Sequence, residues 1–396
     1  MEVIVQKFGG TSVTTKERRK MVIQKIKAAL KSNLMPVVVV SAMGRKGDPY
    51  ATDTLLSLVS DDLKEQNPKA LDFLMSCGEM ISSVVLCSEL QEEGIMAMPL
   101  TGGQAGIITD DRYNSASVIN VNTTYLKELL SKKIVPVVTG FQGVTAKGEI
   151  TTLGRGGSDT SASVLGVALK ASAIEIYTDV DGIMTADPRV VEDASVISNM
   201  NYYEVFEYAD HGAKVIHPRA VKSAMSGNVP LLIKNSFNDS EGTVIDGSIP
   251  EGKGVISGIT HLPNRVQVIV KKEENQSNDS YKNLLNIMAK ENISIDLINV
   301  FPNEKLFTIG QDDVDKLSSI FIKENINYYL VKDCSKLALI GAGMRGVPGV
   351  MASIIEALSE EDIDVLQTAD SYMTIWCLIK THQVEKAIKA LHKKFM

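Results

Sequence analysis

From residue 1 to about residue 237 the chain alternates short apolar runs with amphipathic stretches. Residues 3–8 read as a strand. Residues 18–31 read as a helix, with Val22, Ile26, Ala29 and Leu30 on one face and lysines and arginines on the other. Residues 37–41 begin with an apolar run that shows no alternation, the pattern of a strand covered on both faces. The same reading predicts helices over 79–91, 158–170, 202–213 and 219–226. It predicts strands over 95–100, 134–140, 174–179 and 231–234. Repeated strand–helix alternation predicts an α/β domain, a layered αβα sandwich around a mostly parallel central sheet.

Residues 238–263 change character. Gly, Ser, Asp and Pro accumulate and periodicity fades, which predicts a linker. Beyond it, an internal repeat of about 70 residues predicts two copies of one module, over 264–335 and 336–396. NISIDLINV matches DIDVLQTA, KLFTIG matches YMTIWCLI, and DDVDKLSSIF matches HQVEKAIKAL. Each copy reads strand, helix, strand, strand, helix, with room for a last strand. That is the layout of a ferredoxin-like module. Such a pair suits a ligand-binding or dimerising platform better than a second active site.

The 396 residues exceed one ordinary domain and fit two or three, at ~100–200 residues each. Hydrophobic residues at 44% and charged residues at 22% match a globular chain and exclude disordered and fibrous classes. A net charge of -7 repels phosphate backbones, so no nucleic-acid partner is expected. Uninterrupted apolar runs stay short of the ~18–20 residues that span a bilayer. The N-terminal segment lacks the basic and long apolar regions of a signal peptide. No membrane partner is expected. Cys77, Cys87, Cys334 and Cys377 lie far apart with no CxxC pair. This predicts neither a disulfide framework nor a zinc site, and a reducing cytoplasm as the location.

Lys7-Phe8-Gly9-Gly10-Thr11-Ser12 falls where the first strand ends and a helix should begin. Glycine lets the backbone approach a ligand, a helix N-terminus favours anions, and Lys7 adds a full charge. The spacing is not a Walker A, and a tight turn with a solvated lysine is the alternative. The run from Thr151 to Thr160 sets Arg155 among three glycines, with Ser158 and Asp159 as caps for the next helix. Capping alone does not account for Arg155. A guanidinium in such a loop suits a carboxylate or phosphate. Thr178, Asp179 and Asp181, followed by Asp187-Pro188-Arg189, put polar residues beyond a strand end, where open α/β sheets bind ligands. Asp181-Gly182 also suits a plain turn. Ser41 and Glu79, taken alone, read as a cap and a satisfied helix residue.

Gly341-Ala342-Gly343-Met344-Arg345-Gly346 fits a dinucleotide fingerprint, with Asp362 or Asp364 at the expected distance. Only ~50 residues follow it, too few for the multi-strand half-domain such a site needs. The same segment has a counterpart in the first repeat, so it is read as a decoy. No GxSxG or HExxH occurs, and the five histidines are scattered.

As a set, KFGGTS, VVVVSAMG, SCGE, LGRGGSDTSA, YTDVDGIMTADPR and GAKVIHPRA resemble the amino-acid kinase family, specifically its aspartokinases. They occur in the family's order over residues 1–237. The tandem repeat resembles the paired ACT regulatory domains of those enzymes. SAMGRKGDPYATD, GVPGV and LQTADSYMTIW are most similar to the diaminopimelate-sensitive form of Gram-positive bacteria.

The resemblance implies transfer of the γ-phosphoryl of Mg-ATP to the side-chain carboxylate of L-aspartate. The product, 4-phospho-L-aspartate, feeds lysine, threonine, methionine and diaminopimelate synthesis. Mg2+ is the implied cofactor, carried with ATP, and no metal site made of protein side chains alone is expected. By resemblance, Lys7 spans the β/γ-phosphates, and Phe8, Gly9, Gly10, Thr11 and Ser12 cradle them. Asp159 orients Lys7 and the metal's surroundings. Arg155 pairs with the substrate α-carboxylate and Glu79 with its α-ammonium, while Ser41 and Ser158 donate hydrogen bonds. Thr178, Asp179, Arg189 and Lys214 hold the nucleotide, and Met184 stands where some members place an adenine-side tyrosine.

In the second ACT copy the tight turn before a helix can receive an amino-acid carboxylate. Met344, Val347, Pro348, Gly349 and Val350, with Thr368 and Asp370, are the implied effector site. The first copy has KKEENQSNDS where a glycine-rich turn is commoner. ACT modules pair edge to edge across subunits, so a homodimer or larger assembly is expected. The rival readings are a glutamate 5-kinase or acetylglutamate kinase type of enzyme, and a non-enzymatic amino-acid sensor. Glu79 argues against an N-acetylated substrate, which offers no ammonium.

Overall fold

The computed structural model describes residues 2–212, 215–248, 254–272, 278–344 and 346–396. The chain divides into two compact units. One is Met1–Ile183 with Val196–Ala209 and Lys214–Pro250; the other is Met184–Ser195 with Asp210–Ala213 and Glu251–Met396.

The first unit is built on an eight-stranded sheet. Across it run Asn199–Asn201, Thr243–Asp246, Leu231–Asn235, Ala173–Thr178, Glu2–Phe8, Leu34–Val40, Val135–Thr139 and Ala97–Leu100. Every pairing is parallel except Leu231–Asn235 against Thr243–Asp246. The αβα sandwich expected from the alternation is present, because helices cover both faces. On one, Val22 and Ile26 of helix Lys16–Lys31 and Leu86 and Leu90 of helix Pro68–Glu92 pack with Phe8, Val38 and Val137. On the other, helix Gly157–Leu169 comes so close that a Cβ on Gly166 would lie 2.4 Å from Ile174 Cγ1. Only glycine permits that approach. A four-stranded sheet of three- and four-residue strands, Val118–Val121, Ile107–Thr109, Gln142–Val144 and Ile150–Thr152, stands beside the main one.

Helix Pro68–Glu92 is longer than the 79–91 expected. Asn67 caps it by accepting from the Ala70 amide, and Pro68 occupies its first turn. Its buried face carries Asp72, Ser76, Glu79, Ser82 and Ser83 among the apolar residues, which breaks the apolar stripe in sequence. By length and composition this helix could cross a membrane, which the short apolar runs did not suggest. Two of its buried carboxylates, Asp72 and Glu89, are instead matched by partners within the first unit. Asp72 accepts from Asn114 N, Thr152 N and Thr152 Oγ1, and Glu89 pairs with Arg19 at 2.7 Å.

In the second unit a six-stranded, wholly antiparallel sheet runs Asp296–Val300, Glu304–Gly310, Gly258–Lys271, Tyr329–Ile340, Thr374–Lys380 and Gln367–Asp370. Its two long central strands each serve both repeats. Gly258↔Ile340 through Leu262↔Lys336 gives the second repeat its fourth strand, and Gln267↔Val331 through Ile269↔Tyr329 gives the first repeat its own. The register shifts between Leu262 and Gln267, where the two modules meet.

The linker reading of 238–263 is therefore corrected. Thr243–Asp246 extends the first sheet, and Gly258–Lys271 begins inside the supposed linker. A strand separated by a whole module from the sheet it completes carries no local signal. The two repeats keep distinct cores. Val266, Val268, Leu284, Phe307 and Phe321 form one, and Leu337, Leu339, Ile354, Ile379 and Ile388 the other. Gly341 of the fingerprint-like run has a packing reason: a Cβ there would lie 2.4 Å from the Val255 carbonyl oxygen.

Candidate active site

In the first unit a cavity of about 550 Å³ opens where the parallel strands end. Lys7 is the next-to-last residue of strand Glu2–Phe8, Ser41 directly follows Leu34–Val40, and Phe141 follows Val135–Thr139. Lys7, Gly10, Ser41, Glu79, Arg155, Ser158 and Asp159 all line this one cavity, although the sequence scatters them over four segments.

Lys7 Nζ lies 2.6 Å from Asp159 Oδ1, with both side chains largely shielded from solvent. Asp159 sits in the first turn of helix Gly157–Leu169, where the helix dipole favours a carboxylate. Glu79 Oε1 accepts from the Ala42 amide at 3.1 Å, and Oε2 is buried without a partner. Burial pushes its pKa up to about 8, against the smaller opposing effect of backbone hydrogen bonds. Arg155 rides in a loop whose flanking Gly154 and Gly156 have φ of +73° and +67°, a left-handed backbone that glycine adopts freely. Among the described residues Arg155 has no hydrogen-bond or ion-pair partner. The cavity thus holds an unpaired guanidinium, a buried carboxyl with a spare oxygen, and a lysine set by an aspartate. These can take a ligand carrying a carboxylate, an ammonium and phosphates.

The glycine motif is only partly exposed to the cavity. Phe8 is fully buried and stacks on Tyr177, with centroids 4.8 Å apart. The Gly9 amide donates to the Tyr177 carbonyl at 3.3 Å, and the Ser12 amide donates to Gly9 O at 2.9 Å. The fully buried Ser12 hydroxyl meets Ser236 Oγ at 2.6 Å, and the Thr11 carbonyl accepts from Arg18 at 2.9 Å. Gly10 is required by the loop above it, since a Cβ there would lie 2.7 Å from the Ala42 carbonyl oxygen. Thr178 and Asp179 lie past the end of strand Ala173–Thr178 or at its last residue and do not line the cavity. Asp179 pairs with Arg45 at 2.7 Å.

Met184 and Arg189 belong to the second unit, where the Arg189 guanidinium forks onto Asp187. Lys214 falls outside the described residues. Of the effector candidates, Met344 and Val350 are buried in the second repeat's core. Val347, Pro348 and Gly349 are exposed ahead of helix Val350–Ser359, and Thr368 and Asp370 lie on the sheet's edge strand.

Arg45, Lys46, Thr52, Asp53 and Phe141 also line the cavity and were not singled out from sequence. The first four stand inside SAMGRKGDPYATD, so the motif was legible while the aim of its side chains was not. Phe141, at φ +70°, gave no sequence signal.

Residues 2–235 match the amino acid kinase family and residues 329–393 the ACT domain. Aspartokinase 1 of Bacillus subtilis (strain 168) is 43% identical, over 100% of this chain and 99% of its own length. Among solved structures, Clostridium acetobutylicum aspartate kinase superposes with a TM-score of 0.82 at 24% identity, covering 99% of this chain and 100% of its own. Escherichia coli aspartokinase III, in complex with aspartate and ADP, gives 0.76 at 24% identity, covering 99% of each chain. The structural likenesses speak for the shared fold, and the full-length sequence identity goes further: the chain belongs to the amino acid kinase family and, within it, to the aspartokinases.

Proposed function

We infer that this chain is an aspartate kinase, transferring the γ-phosphoryl of ATP to the side-chain carboxylate of L-aspartate. The observation that carries the substrate assignment is Glu79: a buried carboxyl with a spare oxygen, in one cavity with the unpaired Arg155 and the Lys7–Asp159 pair. Arg155 receives the α-carboxylate and Glu79 the α-ammonium, while Ser41 and Ser158 donate to the substrate.

The side-chain carboxylate, with a free pKa of ~3.9, is already ionised at neutral pH and needs no general base. One of its oxygens forms the new bond to the γ-phosphorus as the bond to the β–γ bridging oxygen breaks, and ADP leaves with that electron pair. The obstacle is the meeting of two anions, so catalysis is positioning and charge neutralisation. Lys7 supplies fixed positive charge at the β/γ-phosphates, and Asp159 holds its amine in place. Thr178, Asp179, Met184, Arg189 and Lys214 remain our assignment for the nucleotide's base and sugar side, beside the Phe8–Ser12 backbone.

An ATP-using kinase takes a divalent cation, and we assign Mg2+. Asp159 and Asp53 are carboxylates of the cavity wall, and no trio of ligating side chains occurs among the described residues. That donor set fits a cation held chiefly by phosphate oxygens and water, with Asp159 and Asp53 as the residues available to it. When bound, it neutralises charge on the transferring phosphoryl group.

We further propose that a pathway amino acid binds the ACT modules around Val347–Gly349, Thr368 and Asp370, that these modules join subunits into a homodimer or larger assembly, and that the enzyme works in the cytoplasm. ADP release measured with aspartate, glutamate and N-acetylglutamate as acceptors tests the central reading. Turnover with aspartate alone is expected; preference for either other acceptor overturns it.

A further inference from the structure

The loop bearing Arg155 is gripped from outside the cavity by His217 and Arg219, in a motif the chemistry above leaves unused. Pro218 opens helix Pro218–Gly227, and His217 caps it by accepting from the Arg219 amide at 3.3 Å. That start projects two side chains onto one loop. The Arg219 guanidinium forks: Nη1 donates to the Leu153 carbonyl at 2.9 Å and Nη2 to Ser115 Oγ at 3.2 Å. The Leu153 amide donates the other way, to the carbonyl of Phe141 in the cavity wall, at 2.8 Å. On the far side of Arg155, His217 packs so tightly on Gly156 that a Cβ there would lie 2.2 Å from His217 Cβ.

Gly154 and Gly156 give this loop freedom, which its own Gly157 N–H to Gly154 carbonyl bond at 3.0 Å restrains in part and contacts from outside restrain further. The strand before it is fixed by Asp72 on Thr152, and the helix after it begins at Gly157. Between those anchors, Arg219 at Leu153 and His217 at Gly156 are the side-chain contacts that bracket Arg155. Arg219 does not line the cavity.

We propose that Arg219 is a positioning residue, which sets the guanidinium of Arg155 for the substrate carboxylate and so governs affinity for the amino-acid substrate rather than for ATP. The proposal rests on the reading of Arg155 given above. A planar fork that reaches two acceptors at once is a task lysine cannot match.

The test is steady-state kinetics of the full chain carrying R219A, R219K, R155A or both R155A and R219A, with melting temperatures measured alongside. R219A is expected to raise KM for aspartate about tenfold or more while KM for ATP stays within about twofold. R219K should fall between R219A and the parent. The double variant should be no worse than R155A, because both changes remove one function. Equal rises in both KM values, or effects of R219A and R155A that multiply, overturn the proposal. If R155A leaves KM for aspartate unchanged, the reading of Arg155 fails and this proposal with it. Normal aspartate binding by R219A beside a defective R155A condemns the proposal alone. Should R219A not fold, R219K decides: a rise of about threefold or more confined to aspartate supports it, and anything else overturns it.

Discussion

Glu79 lies mid-helix with one oxygen on the Ala42 amide and the other unpaired. An unfolded glutamate titrates near ~4.3, whereas burial holds the folded one to about 8. The folded state therefore keeps an extra proton between those values. The stability this group contributes is complete below the lower pKa and is lost as pH rises through the upper one. A substrate ammonium favours the ionised form, so aspartate binding releases a proton below that pKa. KM for aspartate should fall, by up to about tenfold per pH unit, as pH rises from about 6 toward 8. Glu79→Gln should give a higher and flatter profile. Parallel profiles in the two proteins would show that Glu79 does not meet the ammonium. Lys7, in the function proposed, acts on the other substrate. Because its charge counts most where the phosphoryl group is in flight, Lys7→Ala should lower kcat more than about tenfold. A change within about threefold, under ~1 kcal/mol, excludes the role. Both residues were visible in sequence, yet Glu79 looked like a satisfied helix residue. Its unpaired oxygen exists only because the loop after Leu34–Val40 closes over the helix and supplies one donor.

At the scale of elements, helix Pro68–Glu92 carries both Glu79 of the cavity and the anchor for the opposite wall. Asp72 is completely buried and accepts three hydrogen bonds from donors on the Asn114 and Thr152 segments. Burial raises its pKa against those bonds. Asp72→Asn turns an amide N–H toward groups that are themselves donors. It should cost ~1–3 kcal/mol, seen as a lower melting temperature. An unchanged melting temperature would show that the cluster rearranges freely. Long strands and strongly periodic helices were legible because each repeats one pattern over several turns or residues. The start of this helix was not, because its buried face is polar for reasons that lie in other segments. The three-residue strands Ile107–Thr109, Gln142–Val144 and Ile150–Thr152 were missed too, being too short to show a period.

For the molecule as a whole, the exchanged strands of the second unit make a prediction of their own. Gly258–Lys271 and Tyr329–Ile340 pass through both modules, so neither module closes its sheet alone. Loss of either core should unfold both. Leu337→Ala empties a fully buried position in the second repeat and should cost ~2–5 kcal/mol. Hydrogen exchange should then rise in Val266, Val268 and Phe307 of the first repeat as well as in the second. Faster exchange confined to the second repeat would show that the modules are independent.

The sequence by itself determined the layered α/β unit, the duplicated module and the charged and polar residues Lys7, Ser41, Glu79, Arg155, Ser158 and Asp159 of the cavity. Each is written in local periodicity, in repeat spacing, or in short motifs that place a charge beside glycine. Only the tertiary structure decided which of those residues meet. It turned Phe8 and Ser12 inward to the core, brought Arg45, Thr52 and Phe141 to the cavity, and placed Thr243–Asp246 and the start of Gly258–Lys271 inside a supposed linker. Those outcomes depend on pairings between distant segments, where the energy of burial and of backbone hydrogen bonds is settled by neighbours that no local pattern names.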